Sequence, residues 1–129
     1  MEKKQAPIHA LVLDADPALS RRVAHSLSEK DYMVVTASSK EEALNMLKAQ
    51  SIQLAVLGNP TKDGSCFDLL KDFVKTSPLT SLILISDAPG KEIHEKAEGF
   101  GILGHVSRSY SPEEIQKLLE KFERINQLL

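Results

Sequence analysis

Five short apolar stretches punctuate the chain, at residues 9–13, 33–37, 54–57, 82–85 and 105–107. The first, third and fourth are nearly continuous in apolar residues, the pattern of strands buried on both faces of a sheet. The second and fifth are more mixed. Helical patterns lie between them. Leu19, Val23 and Leu27 recur every fourth position after Asp16-Pro17, so Asp16 is a candidate N-cap and Pro17 a first helical residue. Ser39 with Glu42 and Ser111 with Glu114 read as capping boxes. The first precedes Ala43, Leu44 and Leu47; the second opens a long helix striped with Ile115, Leu118, Leu119, Phe122 and Ile125. Ser65 is placed to start a third helix carrying Phe67, Leu70, Phe73 and Val74. Residues 91–98 make a weaker helix whose apolar face is little more than Ile93 and Ala97.

Alternating strands and helices require right-handed crossovers and a parallel sheet with helices on both faces. Such a sheet carries its site at the carboxyl ends of the strands, near the reversal of strand order. The segments to inspect are therefore Asp14 to Asp16, Gly58 to Gly64, Ser86 to Gly90 and Arg108 to Tyr110.

Length and composition narrow the choice. The 129 residues, 42% hydrophobic and 26% charged, suit one soluble domain with one core. Residues 1–7 read as a flexible tail and residues 8–129 as the domain. Lys plus Arg number 16 against 18 Asp plus Glu, a net charge of −2, which argues against nucleic acid as a partner. The longest apolar runs are about four residues, far short of the roughly 20 that cross a bilayer, and Asp14 and Asp16 interrupt the first run too early for a signal peptide. Cys66 is the single cysteine, so no internal disulfide forms, and a reducing cytoplasm is the expected setting.

Taken in order, the segments LVLDADPALSRR, ASSKEEALNMLKAQ, LAVLGNPTKDG, LILISDA and HVSRSYSPEEI resemble the receiver domain of bacterial response regulators, from about His9 to Ile125. The resemblance implies a CheY-like, flavodoxin-like fold, with five parallel strands in the order 2-1-3-4-5 and helices on both faces. It also implies a chemistry: a phosphoryl group passes from a kinase histidine to a receiver aspartate. That transfer uses a carboxylate nucleophile, acidic Mg²⁺ ligands, a lysine and a Ser or Thr hydroxyl.

Carried over residue by residue, the pattern is incomplete. Asp14 matches the first of two adjacent carboxylates, and Ala15 stands at the second. The nucleophile position falls on Gly58 when counted from Glu41-Glu42-Ala43-Leu44, and on Val56 when counted back from Pro60. The disagreement makes the 58–60 loop about two residues shorter than the family's. Ser86 matches the hydroxyl, Arg108 stands at the lysine, Ser109-Tyr110 at the following Pro-Phe, and His105 at the preceding aromatic. The expectation is a degenerate receiver, not an enzyme, with Mg²⁺ binding weak or lost and no other metal or cofactor.

Each remaining group has two readings. Asp14 is a remnant or a weak cation ligand. Asp63-Gly64 shapes a turn, or Asp63 is a substitute phosphoacceptor, with Ser65 and Asp14 as further candidates. Cys66 is a small buried side chain or a thiol of lowered pKa. His25 and His94 lack partners at metal-ligand spacing and read as solvated. Arg108 either fills the space left at Gly58 and pairs with Asp14, or points to solvent.

The resemblance further implies a partner-binding face built from the fourth helix, fifth strand and fifth helix. Ile93, His94, His105, Tyr110 and Lys117 fall on it, although Tyr110 packed inward and His105 merely exposed is an equal alternative. The expected role is docking other signalling proteins or a second copy, independently of phosphorylation, as one piece of a longer regulator with an output or kinase domain. A nucleotide or flavin site is not expected, because the turn after the first strand, Asp14-Ala15-Asp16-Pro17, has two negative charges and lacks an N–H at proline.

Overall fold

The computed structural model describes residues 7–127; most of the expected tail, and Leu128-Leu129, lie outside them. Five strands alternate with five helices: β1 (His9–Leu13), α1 (Pro17–Ser28), β2 (Met33–Ala37), α2 (Lys40–Ala49), β3 (Leu54–Leu57), α3 (Phe67–Thr76), β4 (Ser81–Ile85), α4 (Gly90–Ala97), β5 (Gly104–Val106) and α5 (Pro112–Gln127). The strands form one parallel sheet in the order β2-β1-β3-β4-β5. This is the doubly wound, flavodoxin-like fold.

Period-two alternation divides each central strand between two cores. Ala10 and Val12 of β1, Leu54 and Val56 of β3, and Ile83 and Ile85 of β4 pack with Leu19, Val23 and Leu27 of α1 and Ile115, Leu119 and Phe122 of α5. The intervening Leu11, Leu13, Ala55, Leu57, Leu82 and Leu84 pack with Ala43 and Leu47 of α2, Leu69, Leu70 and Phe73 of α3, and Ile93 and Ala97 of α4. Burying each large side chain stabilises the fold by about 1.5–3 kcal/mol. The apolar continuity of β1, β3 and β4 follows, since neither face meets water.

Local signals set the helix starts. Asp16 accepts a hydrogen bond from Ala18 N–H at 3.0 Å, with Pro17 opening α1. Ser39 Oγ accepts from Glu42 N–H at 3.2 Å. Ser111 accepts from Glu114 N–H, while its own N–H donates to the Glu114 carboxylate at 3.3 Å. Ser65 does not start α3, which begins at Phe67 with Cys66 at its N-cap; from one residue earlier Ser65 accepts from Phe67 N–H at 3.2 Å while its N–H donates to Asp68. The remaining differences are one-residue shifts: β4 begins at Ser81, β5 spans Gly104–Val106, and α4 spans Gly90–Ala97. Among the described residues no helix is long and apolar enough to cross a membrane.

Candidate functional site

The reversal of strand order falls between β1 and β3, whose register pairs Leu13 with Leu57. Asp14 and Gly58 therefore leave the sheet side by side. The ladder continues beyond the strands, with Gly58 N–H donating to Leu13 O and Ala15 N–H donating to Asn59 O, each at 2.8 Å. Gly58 follows the end of β3 next to Asp14, whereas Val56 is wholly buried within the strand.

Asp14 is buried. Its Oδ1 accepts from Asp16 N–H at 2.7 Å and from Arg108 Nη2 at 3.1 Å. Its Oδ2 accepts from Asn59 N–H at 2.9 Å and from Arg108 Nη1 at 2.8 Å. Arg108 thus grips the carboxylate with both terminal nitrogens, the geometry that a planar guanidinium favours. Burial is the largest influence on the Asp14 carboxyl and works to raise its pKa. The hydrogen bonds from Arg108, Asp16 and Asn59, with the Arg108 charge, overcome it and hold the group below the ordinary carboxylate range. The same hydrogen bond raises the Arg108 pKa.

Arg108 does not point to solvent, but neither does it fill the space at Gly58. Asp14 does: a Cβ on Gly58 would lie 1.9 Å from Asp14 Oδ2. The carboxylate leans over the glycine, and the arginine reaches across to meet it. A cavity of about 470 Å³ opens beside the pair, lined by Asp14, Ala15, Asp16, Asn59, Thr61, Lys62 and Arg108.

Ser86 closes β4, its N–H donating to Val106 O at 3.0 Å and its hydroxyl accepting from Ala88 N–H at 3.1 Å. Asp63 lies exposed on a turn closed by Gly64 N–H and Thr61 O, and does not line the cavity. Cys66 is fully buried, and burial pushes its thiol up to about 11, the opposite of a lowered pKa. Among the described residues no three His, Cys, Asp or Glu side chains form a metal-binding group.

Two residues of the expected partner face are corrected. Ile93 is buried in the core under α4, because it is one of only two apolar anchors of that helix. Tyr110 is buried in the other core, its ring beneath the Arg22 guanidinium at 5.0 Å. His94, His105 and Lys117 are exposed, and the two histidines line a shallow cavity of about 330 Å³ with Glu98, Gly99, Gly101 and Ile102.

Two site residues had no role in the sequence reading: Asp87, inside the inspected Ser86 to Gly90 segment, and Arg22, outside every inspected segment. Asp87 accepts from Arg108 N–H at 2.9 Å, and Arg22 donates to Arg108 O. Together they tie the segment after β5 to the β4–α4 loop and to α1. Asp87 adjoins Ser86, which was a weak pointer; nothing in the pattern around Arg22 distinguishes it from a solvated helix face.

Residues 10–120 match the response regulator receiver domain family. No curated protein sequence matches the chain significantly. Solved structures do. A CheY-like response regulator receiver domain protein from Methanospirillum hungatei JF-1 is 19% identical, with 96% of this chain and 100% of that one aligned at a TM-score of 0.83. The signal receiver domain of an HD domain-containing protein from Pseudomonas fluorescens Pf-5 is 20% identical, covering 100% and 98% at 0.80. A response regulator protein from Burkholderia pseudomallei, with a phosphorylated aspartic acid, is 17% identical, covering 93% and 71% at 0.76. At these identities the structural likeness speaks for the fold, and the sequence match for the family. This chain belongs to the response regulator receiver domain family.

Proposed function

We propose that this receiver works without phosphorylation at the usual aspartate, as a protein-interaction module whose acceptor position, though not the cavity beside it, is held closed by its own Asp14–Arg108 pair. The observation that carries this reading is the saturation of Asp14. A carboxylate offers about four lone-pair sites, and four donors meet this one: two from Arg108 and the N–H groups of Asp16 and Asn59. No acceptor site is left for Mg²⁺, which binds through oxygen ligands. The guanidinium supplies the positive charge internally. Gly58 has no side chain to act as nucleophile.

The module acts through groups that remain exposed on α4, β5 and α5, namely His94, His105 and Lys117. Its partner in this reading is another signalling protein of a two-component pathway, in the reducing cytoplasm that suits a free, buried thiol. A longer chain joining the domain to an output module has a counterpart in the receiver of the HD domain-containing protein. Phosphorylation of Asp63 is not favoured, because its exposed turn lies outside the cavity beside Asp14.

The test is an amide NMR titration of the labelled domain with Mg²⁺ and then beryllofluoride, a phosphoryl mimic that needs a receiver carboxylate. Unchanged resonances at Asp14, Gly58, Asn59, Ser86 and Arg108 are expected. Saturable shifts at these residues would overturn the proposal.

A further inference from the structure

We infer that Gly58 is a positioning residue of the closed pocket, so that the missing side chain at the end of β3 and the arginine after β5 are two halves of one device. This deepens the reading above and rests on it only in treating the closed pocket as the working state.

The argument is steric. A Cβ built on Gly58 would lie 1.9 Å from Asp14 Oδ2, 2.9 Å from its Cγ and 3.2 Å from its Cβ. The three nearest atoms thus all belong to the Asp14 side chain, and the closest approach is far inside van der Waals contact. The backbone itself does not demand glycine. The described residues with positive φ are Asp31, Gly99 and Gly101, and Gly58 is not among them. The nearest obstacle to a side chain is Asp14.

Asp14 has little freedom to yield. Oδ2, the oxygen nearest the virtual Cβ, accepts from Asn59 N–H and Arg108 Nη1. Oδ1 is held in the same way by Asp16 N–H and Arg108 Nη2. Turning the carboxylate away from position 58 therefore surrenders a backbone donor and disturbs both bonds to the guanidinium. The pocket has two mutually exclusive arrangements: a side chain at position 58, or the Asp14–Arg108 pair. An arginine after β5 does not close the pocket by itself; it needs a glycine opposite.

The experiment is a double-mutant cycle on the whole domain, comparing the native protein, Gly58→Ala, Asp14→Ala and the double variant by equilibrium urea unfolding. Gly58→Ala alone is expected to lower the folding equilibrium constant roughly 10- to 100-fold, in the range of strong steric conflicts in proteins. It should also shift the Arg108 side-chain N–H resonance. In the Asp14→Ala background only the Cβ contact of residue 14 at 3.2 Å remains, so the same change is expected to cost under about 3-fold, the smaller conformational-entropy loss of alanine on folding offsetting part of it. The size of the Gly58→Ala effect thus depends on Asp14. If Gly58→Ala fails to fold, recovery of a cooperative transition in the double variant carries the same message. Equal costs in the two backgrounds, or an unmoved Arg108 signal in Gly58→Ala, would overturn the inference. Beryllofluoride binding by the native protein would instead overturn the proposed function and leave this cycle intact.

Discussion

Replacing Arg108 by methionine keeps much of the side-chain length and removes the charge and the donors. The consequence follows from the surroundings of Asp14, whose side chain is 2% exposed against 25% for Arg108. Removing one partner of a buried ion pair costs about 3–5 kcal/mol, because the other charge is left buried and uncompensated. Here Asp14 keeps the N–H groups of Asp16 and Asn59, and Arg108 is partly in water. The cost is therefore set lower, at about 2–3 kcal/mol, or roughly 10 °C in Tm for a domain of this size.

The pH dependence sharpens this prediction. In the native protein the Asp14 carboxyl is held below its unfolded value, so its contribution is present above that value and lost as pH falls through the folded one. Without Arg108, burial is opposed by the two backbone donors alone and the carboxyl moves upward. Protonation then relieves the buried charge in the variant, while in the native protein it removes a favourable pair. The stability gap between the two proteins should therefore narrow as pH falls from 7 towards 4. Urea unfolding across that range measures it. A gap under about 0.5 kcal/mol at pH 7, the size of an ordinary surface change, would refute the reasoning. So would a gap that does not change with pH.

Two further outcomes are expected. The buried Tyr110 hydroxyl has no hydrogen-bond partner among the described residues, so Tyr110→Phe should leave stability unchanged or raise it by up to about 1 kcal/mol in urea unfolding; a clear loss would mean that the hydroxyl is bonded. The Cys66 thiol, fully buried and pushed up to about 11, should react with a disulfide reagent at pH 8 only as fast as the protein unfolds. Labelling of the folded domain within the mixing time would contradict its burial.

Much of this protein is written in short-range pattern. Runs such as Leu54–Leu57 declare strands covered on both faces, and the four-residue spacing of Leu19, Val23 and Leu27 declares a one-sided helix. Asp16, Ser39 and Ser111 act on N–H groups two or three residues away, so their capping roles need no tertiary knowledge. The order of these segments also carried the family resemblance, and the residue types at 15, 58 and 108 departed from the pattern that the resemblance implies.

How the residues around Asp14 meet was decided in three dimensions. Arg108 and Asp14 stand 94 positions apart, and Arg22 meets Arg108 across 86. The register of β1 against β3 puts Asp14 over Gly58, so the carboxylate and not the arginine occupies the vacant space. Ile93 and Tyr110 carry side chains suited to an interface, yet the packing of α4 and of the turn before α5 turns them into the cores. Periodicity and capping are properties of neighbours along the chain, and composition records them. The direction of a side chain and the partner it reaches depend on which strands lie together and in what register, and only the folded chain sets that.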